Sequence, residues 1–353
     1  VTTSARAAAV TPAAAAAVVP RRTNAARAVG LSIAATLMVA LALASLALGS
    51  AELDLRTVVA AFTAFDGSNG HLIVLELRLP RTLVGVAVGA ALALAGAVMQ
   101  GVTRNPLADP GILGINAGAS LAVVIAIAGL RVAEPRGYIW FALAGAALAS
   151  VAVYALGAAA RGGSAPLRLT LAGAVLAALL TSLTSAVLVL DTTTLDEFRF
   201  WAVGSIAGRG LDVLAAVLPF LVVGAVLALP AGRQLNAVSL GEDVARSLGQ
   251  RTDVVRLGMA VAVVLLAGAA VAAAGPIAFV GLAVPHAARA IVGPDYRWIL
   301  PYAACLGASL ILASDILGRV VARPGELQVG IMTALVGAPI LVWLVRRQRL
   351  ADV

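Results

Sequence analysis

Apolar residues in this chain fall into ten blocks, at roughly 28–49, 83–100, 113–131, 138–160, 168–190, 212–231, 256–274, 278–293, 297–317 and 328–346. Each approaches the about 20 mostly apolar residues that a helix needs to cross a bilayer. Turn-forming clusters separate many of them: Asp66-Gly67-Ser68-Asn69-Gly70, Asn105-Pro106, Asp109-Pro110-Gly111, Glu134-Pro135-Arg136-Gly137, Arg161-Gly162-Gly163, Pro230-Ala231-Gly232 and Arg323-Pro324-Gly325. The blocks are rich in Gly and Ala, and small residues let helix backbones approach closely in lipid. The pattern predicts an all-α integral membrane protein, a compact bundle of about ten transmembrane helices within residues 28–349. Outside it lie an Ala- and Arg-rich stretch at 1–27, read as a mobile cytosolic tail, and a short cytosolic C-terminal tail at 350–353.

Composition sharpens this picture. Of 353 residues, 61% are hydrophobic and 12% charged, and mean hydropathy is +1.02. Soluble domains carry about 45–50% apolar and about 25% charged residues. A soluble enzyme, a soluble binding module and a disordered scaffold are therefore poor fits. All 25 basic residues are Arg; there is no Lys. A P-loop needs a Lys on the phosphates and Schiff-base chemistry needs a Lys amine, so the chain can supply neither. The single Cys305 cannot form an internal disulfide, and His71 and His286 are too few for a metal cage. The net charge of +8 would suit nucleic acid, but Arg-rich cytoplasmic loops explain it better. With a cytosolic N-terminus and ten alternating spans, sixteen Arg fall on the cytosolic side and nine outside. That bias places both termini in the cytosol.

Four polar segments stand out. Leu77-Arg78-Leu79-Pro80-Arg81 precedes the second block on the outer side and sets two guanidinium forks near each other. Such forks suit carboxylates on another protein or snorkel to lipid head groups. The stretch from Gln100 to Gly111 carries two X-Pro steps, which prevent a continuous helix. Irregular backbone near membrane depth packs in protein or lines a water-filled path, so this is a pathway element or a tight turn. Residues 235–249 read as a cytosolic amphipathic helix pair too short to span. Ser239 is positioned to cap a helix, Gly249 to end it, and Leu240, Val244 and Leu248 recur every four residues as one apolar face. That face fits the bilayer surface or a soluble partner. In the eighth block Pro276 and Pro285 bend the helix, and His286 and Arg289 share a face. His286 reads as a proton site or as a packing residue. Asp315 and Arg319 form an i,i+4 pair.

The predicted spans hold almost no Asp, Glu, His or Arg. Ion-coupled transporters carry such residues as relays, membrane enzymes need a convergent catalytic set, and channels need a filter or charged ring. The bundle reads as a pathway powered from elsewhere, with an ion-gradient-driven secondary transporter as the alternative.

The chain resembles the permease subunits of ATP-binding-cassette importers for iron-siderophores and vitamin B12, the FecCD-type, BtuC-like family. The matching stretches are LRLPRTLVGVAVGAALALAGAVMQGVTRNPLADPGILGINAGAS at 77–120, FWAVGSIAGRGLD at 200–212, LNAVSLGEDVARSLG at 235–249, GPIAFVGLAVPHAARAIVG at 275–293 and PGELQVGIMTALVGAPILVWLVRR at 324–347. The resemblance implies a type II importer permease fold of ten helices and no catalysis by this chain. It implies a second permease subunit, identical or different, two cytosolic ATPases that bind ATP and Mg, and an extracytoplasmic substrate-binding protein. Arg78, Arg81 and Arg319 match positions that face acidic residues of the binding protein. Ser239, Leu240, Gly241, Glu242, Val244, Ala245, Leu248 and Gly249 match the region that docks the ATPase. Asn105, Pro106 and Leu107 match a loop that closes the cytosolic end of the path. Ser164-Ala165-Pro166-Leu167 departs from the family's polar version of that loop. The implied cargo is a ferric siderophore, with cobalamin and haem as alternatives; neither a metal nor a cofactor is expected on this chain.

Overall fold

A computed structural model describes residues 23–49, 51–132, 134–159 and 165–351. The expected tail therefore lies outside the described residues up to position 22, and the segment before Ala165 from 160 to 164 does too. The chain begins with α1 (Asn24–Ala47), α2 (Leu55–Thr63), α3 (Asn69–Leu72), α4 (Leu79–Thr103) and α5 (Ile115–Leu130). It continues through α6 (Pro135–Ala159), α7 (Ala165–Leu190), α8 (Thr192–Ala202), α9 (Leu211–Ala228) and α10 (Gly232–Ser239). It ends with α11 (Glu242–Ser247), α12 (Thr252–Ala274), α13 (Val280–Val292), α14 (Tyr296–Val321) and α15 (Val329–Ala351). Seven helical stretches among the described residues are long and apolar enough to cross a membrane, and three shorter apolar helices, α5, α13 and the first half of α15, accompany them. Together they correspond to the ten predicted blocks.

Three bounds differ from the sequence reading. Helix α1 starts at Asn24, where Thr23 accepts a hydrogen bond from the Ala26 amide at 3.2 Å, so the predicted tail gives way four residues early. Helix α15 runs on through Ala351, into the predicted C-terminal tail; 352–353 lie outside the described residues. The second span also starts earlier, because α3 and α4 join through a π-helical segment, Ile73–Arg78, into one helix over Asn69–Thr103. Pro80 cannot donate and its ring crowds the preceding turn. The wider π register, in which the Leu79 amide bonds the Val74 carbonyl, lets the helix pass through that position. Helices α2 and α8 were not predicted: both are short and half-exposed, without a bilayer-length apolar run.

Helix α4 is the central rod, packed by α9, α12, α13 and α14. Its neighbours meet it where side chains are smallest. Gly89 abuts the Gly307 carbonyl of α14, and Gly96 abuts the Gly281 carbonyl of α13. In the same way Gly118 of α5 lies on the Gly145 carbonyl of α6. Lipid offers no hydrophobic drive between helices, so this backbone-to-backbone packing carries the association. A Val at position 96 would meet backbone atoms that cannot rotate away. Gly96→Val is expected to cost about 3 kcal/mol, the upper range for overpacking, read as a lower unfolding temperature in detergent. An unchanged transition would show the crossing to be looser than described.

Helix α13 is only 13 residues long. The non-helical backbone from Gly275 to Phe279, with Gly275 at φ 74° and Phe279 at φ 69°, completes its crossing. That irregular stretch is enclosed in protein: Ser205 donates its amide to the Ala274 carbonyl at 2.7 Å, and Gly275 sits on the Trp201 carbonyl at the end of α8. The ten apolar helices alternate in direction. The end where α1 begins is called the near end, and the end where α1 finishes the far end.

Candidate functional site

Polar side chains gather at both ends. At the far end the carbonyls closing α1 have no basic residue of their own helix to meet them. Four Arg from elsewhere supply the donors or brace them. Arg78 donates from Nη1 to the Leu46 and Ala47 carbonyls at 2.9 and 2.7 Å, and from Nη2 to the Ala51 carbonyl at 2.5 Å. Arg319 donates from Nη1 to the Ser45 and Leu48 carbonyls at 3.1 and 2.9 Å, and from Nη2 to Ser45 Oγ at 2.7 Å. Arg323 reaches the Gly49 carbonyl at 2.8 Å. Positive charge at a helix C-terminus is also favoured by the helix dipole. A Cβ at Gly49 would stand 2.6 Å from Arg78 Nη2, so a larger residue there would have to displace that guanidinium.

The fourth guanidinium, Arg81, grips Asp315 Oδ1 through Nε at 3.0 Å and Nη2 at 2.7 Å, and Glu326 Oε2 through Nη1 at 2.7 Å. Asp315 is fully buried and also faces Arg319 Nη2 at 2.9 Å from its second oxygen. The local Asp315–Arg319 pair is thus half of a three-residue bridge joining α4 to α14. The expectation of outward-pointing forks is corrected here: the Arg81 side chain is 12% exposed and its three nitrogens are held by Asp315 and Glu326. Arg78 is 5% exposed and Arg319 2% exposed, and their donors are occupied by the end of α1. Burying a guanidinium requires partners for its charge and its N–H groups, and the α1 carbonyls provide them. Beside the cluster a cavity of about 400 Å³ opens, lined by Glu76, Arg78, Arg81, Arg209, Arg319 and Glu326 among others.

At the near end, 235–249 folds as a short helix pair, α10 and α11, as the sequence predicts. The break is at Gly241, whose φ of 120° suits glycine. Ser239 closes α10, donating its hydroxyl to the Asn236 carbonyl at 2.6 Å, and does not cap α11; Gly241 holds that position. Gly249 follows α11 at φ 80°, as the sequence predicts. Ala245 faces inward and is fully buried, while Leu240, Val244 and Leu248 are 68%, 44% and 64% exposed. An apolar row without a partner therefore projects from the near end. Glu242 anchors it, taking Arg246 Nη2 on one oxygen at 2.8 Å and Arg256 Nη2 on the other at 3.0 Å.

The loop at Asn105, Pro106 and Leu107 is exposed at this same end. Asn105 Oδ1 accepts from the Leu107 amide at 2.9 Å, a side-chain turn that replaces helix after Arg104. Arg104 Nη1 lies 3.9 Å from where a Cβ on Gly241 would stand, so loop and ridge are neighbours. Sequence reasoning missed what ties the ridge to the bundle. Asn236 Nδ2 donates to Asp295 Oδ1 at 2.7 Å, and its Oδ1 accepts from the Tyr296 amide at 2.8 Å. Arg289 then links Tyr296 Oη and Gln100 Oε1, both at 3.2 Å. Asn236 has no spacing relation to Asp295 that a linear pattern could reveal. His286 is buried in α13, and among the described residues neither of its ring nitrogens has a hydrogen-bond partner. Among the described residues no group of three or more His, Cys, Asp and Glu could hold a metal ion.

Hydrogen bonds from the Arg297 guanidinium, then from Asn236, hold the Asp295 carboxyl down from its ordinary 3.8 to about 2. A carboxyl depressed in the folded state adds stability above its unfolded pKa and loses it as pH falls through the folded value. Asp295→Asn is expected to flatten the loss of thermal stability between about pH 4 and about pH 2. An identical acid profile for the variant would remove Asp295 as the cause.

Residues 37–347 match the FecCD transport family. The chain belongs to this family, and it is a permease subunit, the membrane-embedded transport component of an ATP-binding-cassette importer. It is 46% identical over 304 residues to the probable siderophore transport system permease protein YfiZ of Bacillus subtilis, covering 86% of this chain and 91% of that one. It is 47% identical over 313 residues to the ferric enterobactin transport system permease protein FepD of Escherichia coli, covering 88% and 93%. With the cobalamin import system permease protein BtuC of Halobacterium salinarum it shares 42% over 278 residues, 78% of this chain and 74% of that one. Among solved structures, an inward-facing conformation of a metal-chelate type ABC transporter superposes with a TM-score of 0.81 at 28% identity, over 91% of this chain and 99% of the other. The fold is that of a type II importer permease, and the protein is a multi-pass membrane protein.

Proposed function

We propose that this permease moves a ferric siderophore-type chelate across the cytoplasmic membrane, driven by ATP hydrolysis in a separate subunit. The observation that carries the coupling is the exposed row Leu240, Val244 and Leu248, projecting beside the Asn105–Leu107 loop. An amphipathic ridge with its apolar side unpartnered fits a groove on a soluble protein. Two ATPases that bind ATP and Mg would dock on two such permeases, which are either copies of this chain or a related pair. This chain itself would hold no cofactor. Loop Asn105–Leu107 then closes the path beside the ridge. The near end, and with it both termini, faces the cytosol, in line with the Arg bias.

The extracytoplasmic binding protein would dock at the far end. Arg81, which lines the 400 Å³ cavity and at 12% is the most exposed of Arg78, Arg81 and Arg319, is the group that a carboxylate of that partner would approach. Arg78 and Arg319 shape the surface from below by holding the end of α1. Siderophore cargo rests on the siderophore and enterobactin permeases at 46% and 47% identity, against 42% for the cobalamin permease. Uptake of labelled ferric siderophore, cobalamin and haem by the reconstituted complex tests this. ATP-dependent uptake of the ferric siderophore alone is expected. Uptake of cobalamin or haem alone would replace the cargo, and uptake without the ATPase would point to an ion gradient.

A further inference from the structure

Helix α13 carries Pro285, which has no amide to give to the Gly281 carbonyl one turn earlier. That carbonyl is met from α4 instead. Gln100 Nε2 donates to the Gly281 and Leu282 carbonyls, both at 3.4 Å. The Gln100 side chain is buried, and its Oε1 accepts from Arg289 Nη2 at 3.2 Å. Only this orientation of the amide satisfies both of its ends. The same Arg289 nitrogen reaches Tyr296 Oη at 3.2 Å, and the Tyr296 amide donates to Asn236 Oδ1 of α10 at 2.8 Å. Helix α10 leads through Gly241 into the ridge. A continuous run of polar contacts therefore joins the ridge to the middle of α13.

Three features mark α13 as an element with a second arrangement. It is bounded by two residues at positive φ, Phe279 at 69° and Gly293 at 83°, and a bulky side chain in the left-handed region is strained. Its His286 is buried with neither ring nitrogen hydrogen-bonded among the described residues, so bonding capacity is unspent in this conformation. The two bonds that fix it to Gln100 are long and therefore weak. Gly281 also lies against the loop that follows Leu107: a Cβ there would stand 3.1 Å from Pro110 Cδ and 3.2 Å from Asp109 Oδ2.

We propose that Gln100 is the positioning residue through which the ridge moves α13. Displacement of α10 shifts Tyr296 and Arg289, Gln100 lets go of the Gly281 carbonyl, and α13 turns about Phe279 and Gly293 against the Asp109–Pro110 segment. The proposal rests on the ridge as the ATPase dock and goes beyond it by naming where the movement enters the bundle.

Amide hydrogen exchange over 276–289 in the permease–ATPase complex, with and without ATP, tests it without any cargo. In the unaltered complex ATP is expected to change exchange there by about threefold or more, within the range for residues that carry coupling. Gln100→Leu keeps the bulk and removes both ends of the link. It should abolish the ATP response while the ATPase still co-purifies. Arg289→Gln should do the same from the other side, and the double variant should be no worse than either single one. A residue that merely stabilises the bundle would lower the unfolding midpoint and leave the ATP response in place. No ATP response in the unaltered complex, or an undiminished response in the Gln100→Leu complex, would overturn the proposal. Failure of the unaltered permease to retain the ATPase would instead strike the ridge reading on which it rests. The comparison on the unaltered complex decides the matter even where a variant fails to fold.

Discussion

Replacing Asp315 by Ala is expected to cost about 3–5 kcal/mol of stability, the range for removing one partner of a buried ion pair. The size follows from geometry. Asp315 has no exposed surface, and its two oxygens face Arg81 at 2.7 Å and Arg319 at 2.9 Å. Without the carboxylate, Arg319 keeps its hydrogen bonds to α1 but loses the charge that balances it in the interior. Arg81 keeps only Glu326, which is part-exposed. Detergent unfolding curves measure the effect. Asp315→Asn, which preserves the shape and an acceptor oxygen, should also lower the midpoint. A midpoint within a degree of the unaltered protein for both variants would show that the far-end charges are solvated rather than interdependent. The bridge joins α4 to α14 and, through Arg319, to α1, so its loss should also loosen the far-end surface proposed for the binding protein.

The second large effect lies at the opposite end. Val244→Asp together with Leu248→Asp is expected to weaken ATPase association on the order of a hundredfold or more, as loss of central apolar anchors does at protein interfaces. Both side chains are exposed in the isolated chain, at 44% and 64%, so the substitutions remove little internal packing. The fold should survive while the partner is lost. Pull-down of the ATPase and unfolding of the permease are read from the same preparation. Retained ATPase with unchanged stability would sink the ridge as the coupling surface. An altered fold would show instead that the row packs on the bundle. Ala245, buried under the ridge, is the contrast: enlarging it should destabilise α11 itself.

The ten spans were legible because crossing a bilayer imposes a length and a polarity that show in linear sequence. The apolar row at Leu240, Val244 and Leu248 was legible for a related reason, since its spacing matches a helical face. Ser239 does not cap the second helix because the break at Gly241 starts that helix two residues later than the pattern suggests. The early start of the second span was hidden because Pro80 marks a boundary in a linear reading, whereas in the structure the π-helical segment Ile73–Arg78 leads the helix up to it.

The arginines show the division most clearly. Their number, the absence of lysine and their bias along the chain follow from the sequence alone, and with them the exclusion of P-loop and Schiff-base chemistry. Which of them face a partner does not. Arg78 and Arg319 look alike in sequence to any exposed Arg, yet they close the end of α1 from positions 32 and 274 residues away from their acceptors. Asn236 likewise meets Asp295 across 59 residues. Hydrophobic periodicity is a local property of the chain and survives in one dimension. The pairing of a buried charge or an orphan carbonyl is decided by whichever helix end arrives beside it, and only the packed bundle determines that.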